Sequence, residues 1–98
     1  MSLFSEISQI IPYLKSIRKI EKYLSIDVLF PDKWRLPKIY VDESKVMEQK
    51  TNTPNVRLFS FVSEFDEEIM SDVKSNIINI IEYNLEREEK DKLFKEKV

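Results

Sequence analysis

The sequence predicts a small α+β domain, and three observations lead to that class. The chain has 98 residues, enough for one domain with one hydrophobic core. Apolar residues recur at helical spacing near both ends of the chain, whereas they alternate with polar residues in its middle. We therefore expect the order α-β-β-β-α in a single domain over residues 1–98, with a small antiparallel sheet flanked by an N-terminal helix and a long C-terminal helix.

The first element is expected to be a helix over residues 2–24 that Pro12 interrupts. Proline inside a helix removes a hydrogen bond, so we expect either a kink there or a short helix followed by a main one from about Pro12 to Leu24. The spacing also fits the a and d positions of a short heptad seam, with Glu21 as a polar intruder. The seam positions recur at steps of four and three residues: Leu3, Ile7, Ile10, Leu14, Ile17 and Leu24.

Strands are expected to begin directly after this helix. Ile26, Val28 and Phe30 alternate with their neighbours, which favours a strand that ends at Pro31. Residues 38–41 are candidate strand material, either as a separate strand or joined to the segment that follows them.

A hairpin is expected over residues 45–63. Residues 51–55 hold the best turn signal in the chain, because threonine, asparagine and proline favour turn conformations. They separate a weak strand at residues 45–49 from the strongest strand at residues 56–62. Apolar side chains alternate to both sides of that last strand, so both of its faces are expected to be covered.

The last element is expected to be a long helix that begins after Asp66. Asp66 is a good N-cap, and Phe65 with Met70 forms a hydrophobic staple across the first turn. Residues from about 87 to 98 lose the apolar stripe and are expected to project into solvent or to meet a partner. The buried stripe is expected to comprise Met70, Val73, Ile77, Ile80, Ile81 and Leu85.

The composition removes the common classes of enzyme. The chain contains no Gly, no His, no Cys and no Ala. Phosphate-binding loops need glycine, nucleophilic triads need an imidazole base, and zinc, iron–sulfur and haem sites lose their usual ligands. We therefore expect no enzymatic activity, no cofactor and no metal. Because the sequence has no long apolar run, we expect neither a signal peptide nor a membrane span, and a cytoplasmic location is expected.

The N-terminal stripe is a candidate interface for a dimer or another protein partner. A stripe that continues through Leu3, Ile7, Ile10, Leu14 and Ile17 fits self-association, although the same residues could instead pack on the protein's own sheet. The favoured interpretation is a non-enzymatic interaction or accessory domain that associates with itself.

The segment between Pro31 and Pro37 is a second candidate contact. It places the sole tryptophan, Trp34, beside Arg35, and both residue types are frequent at the centres of protein interfaces. The alternatives are that Trp34 tucks under the sheet, or that the segment stacks on nucleic-acid bases.

Nucleic-acid binding is the alternative function. The cations that would contact phosphates lie between residues 15 and 38, a stretch with seven basic and three acidic residues. The net charge of −2 argues against a dedicated nucleic-acid binder, and a solvated helix face explains the same residues. The cations, with the neighbouring tryptophan, are Lys15, Arg18, Lys19, Lys22, Lys33, Trp34, Arg35 and Lys38.

The expected element order resembles that of double-stranded-RNA-binding domains. That family contacts RNA through a basic start of its second helix, whereas the matching positions here are Asp66, Glu67 and Glu68, which would repel phosphate. The sequence is also similar to small acidic dimeric secretion chaperones in its acidity and α+β character, but those chains are longer. Neither resemblance rests on a sequence motif.

Overall fold

The computed structural model describes the backbone of residues 8–96 and the side chains of residues 8–92. Residues 8–10 are helical, and a 3-10 turn at Ile11–Tyr13 leads from them into the sheet. The remaining elements are β1 (Leu14–Ile20), β2 (Tyr23–Pro31), β3 (Val46–Gln49), β4 (Val56–Glu64) and the helix α1 (Glu67–Glu96).

The four strands form one antiparallel sheet in the order β1-β2-β4-β3. One row of residues across this sheet fixes its register, with Ile17 opposite Ile26, Ile26 opposite Phe61, and Phe61 opposite Val46. Residues in such a row share a face. Helix α1 covers this face, so the α+β class, the antiparallel sheet and the long C-terminal helix are confirmed.

The prediction of a main helix from Pro12 to Leu24 is wrong. Residues 14–20 form the edge strand β1, and a two-residue turn returns the chain into β2. Glu21 occupies this turn with a φ of 55°, in the left-handed region that glycine favours. The tertiary pairing of β1 with β2 therefore overrides the helical spacing, and the resemblance in element order to the double-stranded-RNA-binding domain disappears with the helix.

The other strand predictions fare better. The strand around Val28 and the hairpin over residues 45–63 are confirmed, as are the turn at residues 51–55 and the end of β2 at Pro31. Residues 38–41 are not a strand, because Lys38–Tyr40 forms a 3-10 turn on the way to β3.

Helix α1 begins as expected and buries a stripe along one side. The carboxylate of Asp66 accepts hydrogen bonds from the backbone N–H groups of Glu68 (2.9 Å) and Ile69 (3.3 Å), as an N-cap should. Leu85 departs from the expectation, because it is 44% exposed, while Asn84 takes the buried position next to it. The buried part of the stripe comprises Ile77, Ile80, Ile81 and Asn84.

An aromatic cluster closes the end of the core at which β2 ends. The ring of Trp34 lies 5.2 Å from that of Phe30 and 4.9 Å from that of Tyr13, measured between centroids. Phe59 extends the cluster from β4, 5.9 Å from Phe30. Aromatic pairs at these separations stabilise the fold beyond the area they bury.

The segment between β2 and β3, residues 32–45, covers one flank of helix α1. The side chain of Asn84 accepts a hydrogen bond from the backbone N–H of Arg35 and donates one to its carbonyl, both at 2.8 Å. The indole N–H of Trp34 donates to Glu88 at 2.8 Å. Farther on, Tyr40 approaches the first turns of the helix around Val73. We call residues 32–45 the β2–β3 segment.

Candidate interaction surface

An apolar groove lies along the opposite flank of helix α1, between the helix and β1. It encloses about 250 Å³, and nearly all of its lining is hydrocarbon. Ile17 is 57% exposed there and Phe65 is 61% exposed, although both are large apolar side chains. We call this feature the β1 groove; its lining comprises Ile10, Leu14, Ile17, Leu24, Ile26, Phe65, Met70 and Lys74.

Strand β1, which forms one wall of the groove, is also an edge of the sheet. Within the described residues it pairs with β2 alone, so the other side of its backbone has no strand partner. The N–H and C=O groups on such an edge are a template for a further strand. Thus the groove combines exposed apolar side chains with unpaired backbone groups along the same line.

The exposed surface of β1 is basic. Residues 14–22 contain four cations and one anion, Glu21. Within the part of the chain that the structure describes, Lys15, Lys19 and Lys22 make no ion pair, and the Nζ of Lys19 lies 5.2 Å above the ring of Phe65. Both an apolar and an anionic partner group could therefore be accommodated at this edge.

A buried carboxylate on the other face of the sheet fixes β1 in place. Asp27 of β2 is 4% exposed. Its Oδ2 atom accepts hydrogen bonds from Arg18 Nε at 2.7 Å and Ser16 Oγ at 2.8 Å, both from β1. Its Oδ1 atom accepts from Ser60 Oγ at 2.7 Å and Ser25 Oγ at 2.9 Å. Both oxygens are therefore satisfied, and the cluster ties together three strands.

These contacts shift the ionisation of the cluster. Burial alone would raise the pKa of Asp27, but the hydrogen bonds from Arg18, Ser60, Ser16 and Ser25 outweigh it and hold the pKa well below its usual range. Asp27 is therefore charged at neutral pH. Its hydrogen bond in turn raises the pKa of Arg18. The cluster stabilises β1 electrostatically and leaves no unused lone pair that points to a ligand.

The structure brings together part of the stripe that was identified as a candidate interface. Ile10, Leu14 and Ile17 all line the β1 groove, although on a 3-10 turn and strand rather than on one helix. Ile10 is buried and Leu14 is half-buried, so Ile17 is the most accessible of the three. Leu3 and Ile7 lie outside the described residues.

The second candidate contact lies elsewhere. Trp34 is 4% exposed and belongs to the core, so its ring is not a surface for a partner or for a nucleic-acid base. Arg35 remains exposed at its side chain, while its backbone is bound to Asn84. The residues expected to form one basic and aromatic surface are thus divided between the core and two separate surfaces.

Sequence reasoning missed Asp27 and Asn84, the two best-connected buried polar residues. A signal for each was present. Asp27 is the one charged residue within the apolar run of β2, and Asn84 lies four residues after Ile80 on the buried stripe of α1. Helical periodicity assigns Asn84 to the core, whereas Asp27 interrupts an apolar strand on the face away from α1; a polar residue that is buried at either kind of position requires a hydrogen-bond partner.

Comparison with protein-family models, curated proteins and solved structures finds no match. None of the helices that the structure describes combines the length and the apolar character that a membrane span requires. Nor do the described residues place three or more carboxylate side chains together in a way that could hold a metal ion.

Proposed function

We propose that the protein is a non-enzymatic interaction domain that binds a segment of another protein in the β1 groove. One observation carries the proposal: an apolar groove of about 250 Å³ runs beside an edge strand whose backbone has no partner among the described strands. Peptide recognition commonly combines these two features, since main-chain hydrogen bonds supply affinity and side-chain pockets supply specificity.

The proposal is tested by selecting ligands for the whole chain from a random displayed peptide library. Ile17→Arg places a long cation in the groove and should abolish capture of the selected peptides. Met47→Arg is the matched control, because Met47 is 61% exposed but lies on β3, the other edge of the sheet. Both substitutions are at exposed sites and should leave stability within about 0.5 kcal/mol. A library that yields no ligand, or ligands equally sensitive to both variants, contradicts the proposal.

Self-association through β1 is the second candidate. Ile17 lies at the centre of β1 and Ile20, on the other face, is 49% exposed, so two copies could pair their edges around a two-fold axis. Light scattering coupled to size-exclusion chromatography would then give a mass near twice 11.8 kDa. Ile17→Arg should return it to the monomer mass.

Nucleic-acid binding receives less support. Trp34 is in the core and Arg18 is bound to Asp27, so two members of the proposed contact set are already occupied. Binding that weakens steeply with salt and is lost on replacing Lys19 and Lys22 would favour it over a protein partner.

A further inference from the structure

Charge and shape along the β1 edge indicate what kind of segment the groove accepts. We infer that the partner segment is extended and acidic, and that it adds to β1 as a fifth strand of the sheet. This inference rests on the proposed function and specifies the occupant of the same groove.

The regular part of the edge is Ser16–Ile20. The register with β2 shifts between Leu14 and Ser16, and such an irregularity bends an edge strand and interrupts further pairing. From Ser16 onward each residue of β1 pairs with one residue of β2. An added strand would therefore pair over about five residues, a length of about 17 Å.

The alternation of β1 assigns a side chain to each position of the added strand. Ile17 lies on the face that α1 covers and lines the groove, so an apolar residue is expected opposite it. The side chains of Arg18 and Lys19 lie on different faces of the sheet. An acidic residue is expected at each of the two positions of the added strand that pair with them. Ile20 again favours an apolar residue. The expected pattern is apolar–acidic–acidic–apolar, which reads the same for parallel and antiparallel addition.

The two acidic positions are not equivalent. The charge of Arg18 is balanced by Asp27, whose carboxylate occupies its Nε and Nη2 atoms. Lys19 has no anionic partner within the described residues and contacts only the ring of Phe65 among charged or aromatic groups. The preference for an acid should therefore be stronger opposite Lys19 than opposite Arg18.

A second copy of the chain satisfies this pattern poorly. Its own edge offers Ile17, Arg18, Lys19 and Ile20, with cations where the pattern requires anions. Like charges directly across a strand pair destabilise it, and lysines on an edge strand are a common means of preventing self-pairing. The cations thus favour an acidic partner over the homodimer.

The experiment begins with the peptides selected by the unmodified chain. One selected peptide is synthesised in three forms, with its two central acids retained, replaced by glutamine, or replaced by lysine. Affinities should fall in that order, by about tenfold from the acidic to the lysine form at low salt. Lys19→Glu should reverse the order. Lys50→Glu, the same change on an exposed residue beyond the other edge strand, should leave it unchanged.

Strand addition has its own measurement. On binding, those backbone amides of residues 16–20 that point away from β2 should gain protection from hydrogen exchange, whereas the amides of β3 should not. Peptides that lose binding with Ile17→Arg but are indifferent to charge, or that leave the β1 amides unprotected, would overturn this inference and leave the proposed function standing. A library without ligands contradicts both. A dimer whose β1 amides are already protected assigns the edge to a second copy and also overturns the inference.

Discussion

The two flanks of helix α1 face the same sheet but are covered differently. On the β3 side the β2–β3 segment lies against the helix and is bound to it through Asn84 and Glu88. On the β1 side a groove of about 250 Å³ is left beside Ile17 and Phe65. A smaller cavity of about 190 Å³ with a partly polar lining remains on the β3 side, between Tyr40 and Asn76, whereas the surface left accessible beside β1 is almost entirely apolar.

The difference separates residues whose contacts maintain the fold from residues whose side chains stay exposed. Trp34 and Asn84 are nearly inaccessible, and their contacts bridge residues about fifty positions apart in the chain. Ile17 is equally apolar but more than half exposed. Since an exposed side chain contributes little to stability, Ile17 can be replaced without loss of the fold, and the two flanks can be tested separately.

The largest expected effect is on the covered flank. Trp34→Ala should lower the free energy of unfolding by about 3–5 kcal/mol, because it removes a buried indole from the aromatic cluster. Ile17→Ala, the control on the groove flank, should lower it by less than about 1 kcal/mol. Urea unfolding followed by circular dichroism measures both. Equal losses for the two variants would show that the groove is part of the stabilising core.

Asp27 provides a second test of the groove flank, because its hydrogen bonds to Ser16 and Arg18 hold β1, one wall of the groove, in place. Asp27→Asn should lower the free energy of unfolding at pH 7 by about 2 kcal/mol, since an amide cannot accept all the hydrogen bonds that the carboxylate does.

Acid should act on the same contact. The pKa of Asp27 in the folded state lies below its value of about 4 in the unfolded chain, so the stabilisation is complete above pH 4 and is lost as the pH falls toward the folded value. Hydrogen exchange at decreasing pH should show β1 opening before the β2–β3 segment. If β1 opens at the same pH in the Asp27→Asn variant, the opening is caused by protonation of other carboxyl groups.

Asn84 tests how firmly the β2–β3 segment is attached. Asn84→Ala should lower the free energy of unfolding by about 1–2 kcal/mol, because it removes both hydrogen bonds to the backbone of Arg35. Asn79→Ala is the matched control on the same helix, at a half-buried side chain without a hydrogen bond among the described residues. Thermal unfolding of both variants measures the difference; similar values would mean that packing alone holds the segment.

The smallest expected effect is a gain on the groove flank. Glu21→Gly should raise the free energy of unfolding by about 0.5–1 kcal/mol, because glycine adopts the positive φ of this turn without the penalty that a side chain brings. Ser71→Gly, an exposed change inside α1, should instead lower it by about 1 kcal/mol. A loss of stability on Glu21→Gly would show that contacts of the glutamate side chain outweigh backbone strain.

The elements that local signals specify could be predicted from the sequence. Helix α1 has an N-cap at Asp66 and a stripe around Ile77, and the β3–β4 hairpin has a turn rich in threonine and asparagine. The β1–β2 hairpin has no such signal, because the chain has no glycine and Glu21 takes the position that glycine would mark. Ile10, Leu14 and Ile17 therefore read as a helix.

Only part of the candidate site could be predicted. Ile10, Leu14 and Ile17 were identified as interface candidates because apolar positions are in excess near the N-terminus, whereas Phe65 and Met70, which also line the groove, were expected only to staple the first turn of α1. Their arrangement could not be predicted, because it depends on Asp27 binding Arg18 and Ser60 from neighbouring strands. Contacts between distant parts of the chain leave no periodic signal in one sequence.

The strand order β1-β2-β4-β3 also bears on how the chain folds. It divides the sheet into two hairpins, β1–β2 and β3–β4, whose own pairings are local, while the pairing of β2 with β4 closes a long loop. Local hairpins form within microseconds, whereas non-local pairing is slower because the loop entropy is lost first. We expect the rate-limiting step to be the docking of two preformed hairpins, with the contact between Asp27 and Ser60 made as they join.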